Sequence, residues 1–213
     1  MVATPSLKEE LETKGFQNIR IWRRGVDVEQ FHLGPKDVLD FQRPIWLYVG
    51  RIAVEKNIET FLALDLPGTK VIVGDGPQRA DLEAKYPAAK FLGTKFGEEL
   101  TGIYAASDVF VFPSKTDTFG LVNVEALACG IPVAAYDVQG PRDILAGSNV
   151  GAVSDDLGDA CRRALGIATP EECRAWAMKF SWEAGTKQFL ENLSIPGYDE
   201  KYWLESANFP DWP

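Results

Sequence analysis

Short apolar runs alternate with helix-spaced apolar positions along most of the chain. The runs Ile45–Gly50 (IWLYVG), Lys70–Gly76 (KVIVGDG), Lys90–Gly93 (KFLG), Asp108–Ser114 (DVFVFPS) and Ile131–Asp137 (IPVAAYD) are continuously apolar rather than alternating. A strand of that kind is covered on both faces, as in a parallel sheet between two layers of helices. Between the runs, Glu55–Leu64 (EKNIETFLAL), Arg79–Tyr86, Gly97–Ser107 and Phe119–Gly130 (FGLVNVEALACG) are helical patterns, with apolar residues mainly three and four apart. Strand–helix–strand order with crossovers predicts an α/β fold, a doubly wound, Rossmann-like parallel sheet over about Arg43–Gly166. After it, 157–165, 170–180 and 181–193 read as helices. In the last of these Trp182, Phe189 and Leu193 fit one apolar face, which predicts core packing.

The first 40 residues have a different character. SLKEELETKG (6–15) reads as a helix with Ser6 as N-cap and Gly15 as its stop, NIRIW (18–22) as a strand, and 23–37 as a loop. One helix and one strand cannot close a core of their own. They must pack on the main domain or on a partner. The end of the chain, 194–213, gathers Tyr198, Tyr202, Trp203, Phe209 and Trp212 among prolines and acidic residues; packing on this chain is expected before partner or membrane contact.

A length of 213 residues suits one large domain with extensions. No apolar run approaches the roughly 18 residues of a membrane helix, and the N-terminus lacks a signal-peptide core. A cytoplasmic protein, at most peripheral to the inner membrane face, is expected. The net charge of -9 disfavours nucleic acid as a partner. An anion must therefore be bound locally, by a few cations and backbone N–H groups. Cys129, Cys161 and Cys173 are odd in number and have no C-x-x-C spacing, so reduced thiols are expected. His32 is the only histidine, which argues against a His-based triad or a multi-His metal site. Neither a metal nor a resident cofactor is expected.

In doubly wound sheets, ligands sit beyond the carboxyl ends of the strands. That rule directs attention to Gly50–Lys56, Gly74–Pro77, Gly93–Phe96, Pro113–Gly120 and Asp137–Arg142. GRIAVEK (50–56) follows a strand and opens a helical pattern, so Arg51, Lys56 and a helix N-terminus would make an anion site. Solvated surface charges beside Glu55 are the plainer alternative. In KTDTFGLVNVEALACG (115–130), Asp117 and Glu125 stand eight apart. Glu125 falls on an otherwise apolar helix face, where a carboxylate is costly unless bonded; a vicinal diol could supply two such bonds. Alternatively, Glu125 lies on a rotated surface face and Asp117 is an N-cap. GDGP (74–77) is neither a dinucleotide fingerprint nor a P-loop, and by itself suggests only a tight strand-to-helix turn.

Taken in order, GRIAVEKN, VIVGDGP, FLG, SDVFVFPSKTDTFGLVNVEALACGIPV and GPRDI resemble the nucleotide-binding, C-terminal half of retaining glycosyltransferases of the GT-B fold, the group 1 (family four) class. The resemblance runs from about Gly25 to Phe189. It implies a transferase that moves a sugar from a nucleotide-sugar donor, such as a UDP- or GDP-sugar, to an acceptor with retention. It assigns Arg51 and Lys56 to the donor diphosphate, Asp117 to the donor sugar and Glu125 to the ribose hydroxyls. The amides of Phe119, Gly120 and Leu121 fall to sugar and phosphate, and Gly93 to the nucleobase side. Arg51, Lys56 and Asp117 are the expected catalytic residues. Asp117 stands where the family usually has Glu, one methylene longer. GVDVEQF (25–31) is similar to the family's inter-domain linker. The implied division is 1–40 as the end of an N-terminal domain plus linker, 41–193 as donor domain and 194–213 as aromatic tail. The acceptor domain of the family would precede this chain, so a fragment that binds donor with little transfer of its own is expected. The alternative is a non-catalytic sugar-nucleotide-binding module working with a partner chain.

Overall fold

A computed structural model describes residues 1–193; the aromatic stretch 194–213 lies outside them, and with it the expectation about its packing. Six strands, β1 (Ile45–Val49), β2 (Thr69–Val73), β3 (Lys90–Gly93), β4 (Val109–Phe112), β5 (Val133–Tyr136) and β6 (Gly151–Ser154), form one sheet in the order β3-β2-β1-β4-β5-β6. Every neighbouring pair is parallel. The doubly wound, Rossmann-like expectation is met, and the strand order reverses between β1 and β4. The helices are α1 (Pro5–Thr13), α2 (Ile58–Ala63), α3 (Arg79–Lys85), α4 (Gly97–Ala106), α5 (Leu121–Ala128), α6 (Gln139–Leu145), α7 (Leu157–Ala164), α8 (Pro170–Ala177) and α9 (Trp182–Asn192). None of them is long and apolar enough to cross a membrane.

The continuously apolar strands do what their composition requires. Ile45, Leu47, Val71, Phe110 and Val133 face a cluster with α4, α5 and α8. Trp46, Ile72, Val109, Val111 and Ala134 face another with α2 and α7. Arg43 ties the sheet's lower edge: its guanidinium donates to Asp108 at 2.6 Å and to the Ala106 carbonyl at 2.9 Å, while Asp108 accepts from the Ile45 amide at 2.7 Å. The three thiols are buried and unbridged, and burial pushes each up to about 12. They are inert at neutral pH.

Several elements differ from the sequence reading. β6 and α6 carry no sequence signal: GAVS has no apolar run, and QGPRDIL carries a glycine and a proline. The helix expected from Glu55 begins only at Ile58, because Asn57 takes a left-handed conformation (φ 54°) and leaves Val54–Lys56 as a separate 3-10 turn. Thr4, not Ser6, caps α1, with Pro5 in the first turn; the Ser6 hydroxyl instead donates to Asp143 on α6 at 2.7 Å. Gly15 ends α1 in a left-handed conformation as expected (φ 89°). NIRIW is no strand: Ile21 makes one isolated bridge to Val2. Trp182 is 67% exposed, so α9 does not bury the face expected of it, while Phe189 packs on Trp22 with ring centroids 4.9 Å apart. Val26 and Phe31, by contrast, enter the main core. Arg174 holds the 25–31 segment there by donating to the Phe31 and Val28 carbonyls, at 2.9 and 3.0 Å.

Candidate functional site

The loops after β1 and β4 flank the point where strand order reverses, the place where a crevice opens in such sheets. The loop after β1 is set by its neighbours. The Ile52 amide donates to the Asp75 carbonyl at 2.9 Å and the Gln78 amide to the Ile52 carbonyl at 3.1 Å. A side chain on Gly76 would come within 2.3 Å of the Ile52 carbonyl oxygen, and one on Gly74 within 2.0 Å of that of Gly50. GDGP is thus a clamp on the backbone that carries Arg51. The Tyr48 hydroxyl donates to the Arg51 carbonyl at 2.9 Å and completes it. Burial and then the negative charges of Asp117 and Glu55 push the Tyr48 phenol upward, so it stays a donor.

Across the crevice, Lys56 Nζ lies 2.6 and 2.8 Å from the two carboxylate oxygens of Asp117. The Asn57 side-chain amide, through Nδ2, donates to the Pro113 carbonyl at 3.1 Å. These contacts join the β1 and β4 loops. Asp117 is not an N-cap: Gly120 occupies that place (φ 79°), and no side chain caps α5. The Asn123 amide donates to the Gly120 carbonyl at 3.0 Å, and the amides of Leu121 and Val122, at the very start of α5, are left open to an anion. Phe119 turns its ring into the core, 6.2 Å from Phe180, which fixes the backbone entering α5. Leu121, half-buried, lines a hollow of about 430 Å³ with Trp22 and Trp182. A second hollow, of about 290 Å³, opens beside Asp117 between Lys115, Thr118, Asp137 and Arg142.

Arg51 sits at the lip with its side chain 67% exposed, its guanidinium 3.7 Å from Glu55 and in no ion pair with Asp117. Glu125 is partly buried, and burial raises its carboxyl above the usual range against the opposing pull of a hydrogen bond from Tyr104 at 2.9 Å. Gly93 ends β3 in a left-handed conformation (φ 72°), and its carbonyl accepts from the Gly74 amide at 2.8 Å. Lys56 lies in the 3-10 turn, two residues ahead of α2, and not in the first helical turn as the sequence suggests. Two residues escaped the sequence reading. Tyr104 is the partner of Glu125, and its apolar setting in GIYAAS gives no hint of that. Asn123, in the first turn of α5, buries both side-chain polar atoms without a partner.

The architecture and these loops define a doubly wound, Rossmann-like α/β domain, with the Lys56–Asp117 pair at the switch point of its sheet. The profile of the family described as "Glycosyl transferases group 1" matches residues 43–166, and the chain belongs to that family. A GDP-mannose-dependent alpha-mannosyltransferase of Mycobacterium tuberculosis is 41% identical over 145 residues, covering 64% of this chain and 38% of that protein. The sulfoquinovosyl transferase SQD2 of Arabidopsis thaliana is 38% identical over 60% of this chain and 28% of its own length. Among solved structures, the sucrose-phosphate synthase of Thermosynechococcus elongatus superposes with a TM-score of 0.74 at 27% identity, covering 89% of this chain and 56% of that one. The Anabaena protein HepE in complex with UDP shares the fold at a TM-score of 0.70 and 19% identity, over 91% of this chain and 63% of that one. The chain thus spans less than half the length of these curated relatives.

Proposed function

We propose that this chain is the donor-binding half of a retaining glycosyltransferase and that GDP-mannose is the first donor to test. The observation that carries the reading is the Lys56–Asp117 contact across the β1–β4 crevice, which puts a cation and a carboxylate in reach of one bound molecule. The relatives named as GDP-mannose-dependent support the choice of donor. In this reading the Lys56 ammonium turns from Asp117 to the donor diphosphate. The exposed Arg51 guanidinium swings in from the lip, and the open amides at Gly120 and Leu121 complete the cradle. Together they stabilise the negative charge that grows on the leaving diphosphate, the term worth most in such a transfer. Asp117, released from Lys56, accepts hydrogen bonds from the sugar hydroxyls. Glu125 accepts from the ribose, and Gly93 with its loop borders the base.

The acceptor and the second wall of the crevice come, in this reading, from a further domain outside this chain. The short span of the relatives that it covers supports this, as do the exposed Trp22 and Trp182 beside Leu121. Holding two reactants in register needs both walls. With GDP-mannose as donor, this chain alone should release GDP no faster than buffer. Adding the N-terminal half of the full-length protein in trans should restore release in the presence of acceptor, and Lys56→Ala should abolish that gain. Transfer at full rate by the isolated chain would refute the division of labour.

A further inference from the structure

Glu125 has one side-chain partner among the described residues: the Tyr104 hydroxyl, which donates to Oε2 at 2.9 Å. No lysine or arginine of those residues forms an ion pair with Glu125, so the charge it carries when ionised is held by this bond. Tyr104 is itself completely buried. Its ring is gripped by Phe31, edge to face at 5.9 Å, and by Phe110 at 5.8 Å. Its helix is pinned to the linker by Thr101, whose hydroxyl donates to the Gln30 carbonyl at 3.0 Å. The hydroxyl therefore sits at a point fixed by α4, β4 and the linker together. Burial and the nearby carboxylate push the phenol far upward, so it remains a permanent donor.

A carboxylate offers about four acceptor positions. One that is free to rotate presents them in no fixed direction; one anchored at Oε2 presents Oε1 in a single plane. We infer that Tyr104 is the positioning residue for ribose recognition, anchoring Oε2 of Glu125 so that Oε1 meets the sugar's hydroxyls in one orientation. The inference rests on the proposed role of Glu125 as ribose acceptor. It adds a second layer to the site, built on α4 rather than on a crevice loop.

The test is calorimetry on this chain with GDP and with its 2′,3′-dideoxy analogue. The wild type should prefer GDP. In Tyr104→Phe, which keeps the ring, that preference should shrink about tenfold or more, the scale of one charge-assisted hydrogen bond. Affinity for the dideoxy analogue should stay within about twofold. Phe31→Leu, which keeps the hydroxyl but loosens the ring, should erode the same preference by a smaller factor and covers the case in which Tyr104→Phe does not fold. Equal loss for both ligands would mean general damage, and an unchanged preference would mean no role; either overturns the inference. If the wild type shows no preference for GDP, or keeps it in Glu125→Gln, the ribose role of Glu125 fails instead.

Discussion

Asp117 and Glu125 are both carboxylates, eight residues apart, yet their settings differ. Asp117 lies against an ammonium, whereas Glu125 is desolvated and holds one phenol. Burial raises the Glu125 carboxyl, so the fold favours its protonated form. Its contribution to stability is therefore present at low pH and is lost as pH rises through the raised value. Glu125→Gln keeps an acceptor for Tyr104 and removes that loss. The unliganded variant should melt above the wild type at pH 7, with the gap closing as pH falls to the ordinary carboxylate range, read by calorimetry across pH. The same variant should bind GDP more weakly, since only the ionised acid offers every lone pair. A variant that melts at or below the wild type throughout would show that Glu125 is not held at a cost. At this scale the sequence was only partly legible. Charge and spacing singled out Arg51, Lys56, Asp117 and Glu125. That Lys56 pairs with Asp117, 61 residues away, depends on strand order, which no local pattern encodes.

The strands were legible as elements because three of the six are unbroken apolar runs and β2 and β3 carry short ones after a lysine, and α5 because Gly130 closes it in a left-handed conformation (φ 80°). β6 and α6 were not legible, since small residues, a glycine and a proline erase the period. The GDGP turn shows a limit of another kind. Its glycines read as a generic turn, but they are there because two loop backbones press together, a fact of tertiary contact. Gly76→Ala should cost about 1–3 kcal/mol, as an overpacked methyl against backbone does, lowering Tm by about 2–4 °C per kcal/mol. Gly102→Ala is the control: inside α4, a methyl there meets only Val38 at 3.5 Å. It should raise stability by about 0.5–1 kcal/mol through helix propensity. Thermal melts that rank the two variants the other way would remove the clamp from the account.

As a whole, the molecule is one sheet with its polar groups along one rim. Val26 and Phe31, ahead of the first strand, are sunk in the main core, and Trp22 and Trp182 are left open. Composition set one condition on function: with a net charge of -9, any anion has to be held by local groups. The measurement that tests the central claim most directly is binding of GDP and UDP to the wild type and to the Arg51→Ala/Lys56→Ala double variant, with both folds checked by circular dichroism. The account predicts measurable affinity in the wild type for at least one of the two. It predicts a loss of about a hundredfold or more in the variant, the combined scale of two charge-assisted phosphate contacts. Equal affinity in the two proteins would contradict it.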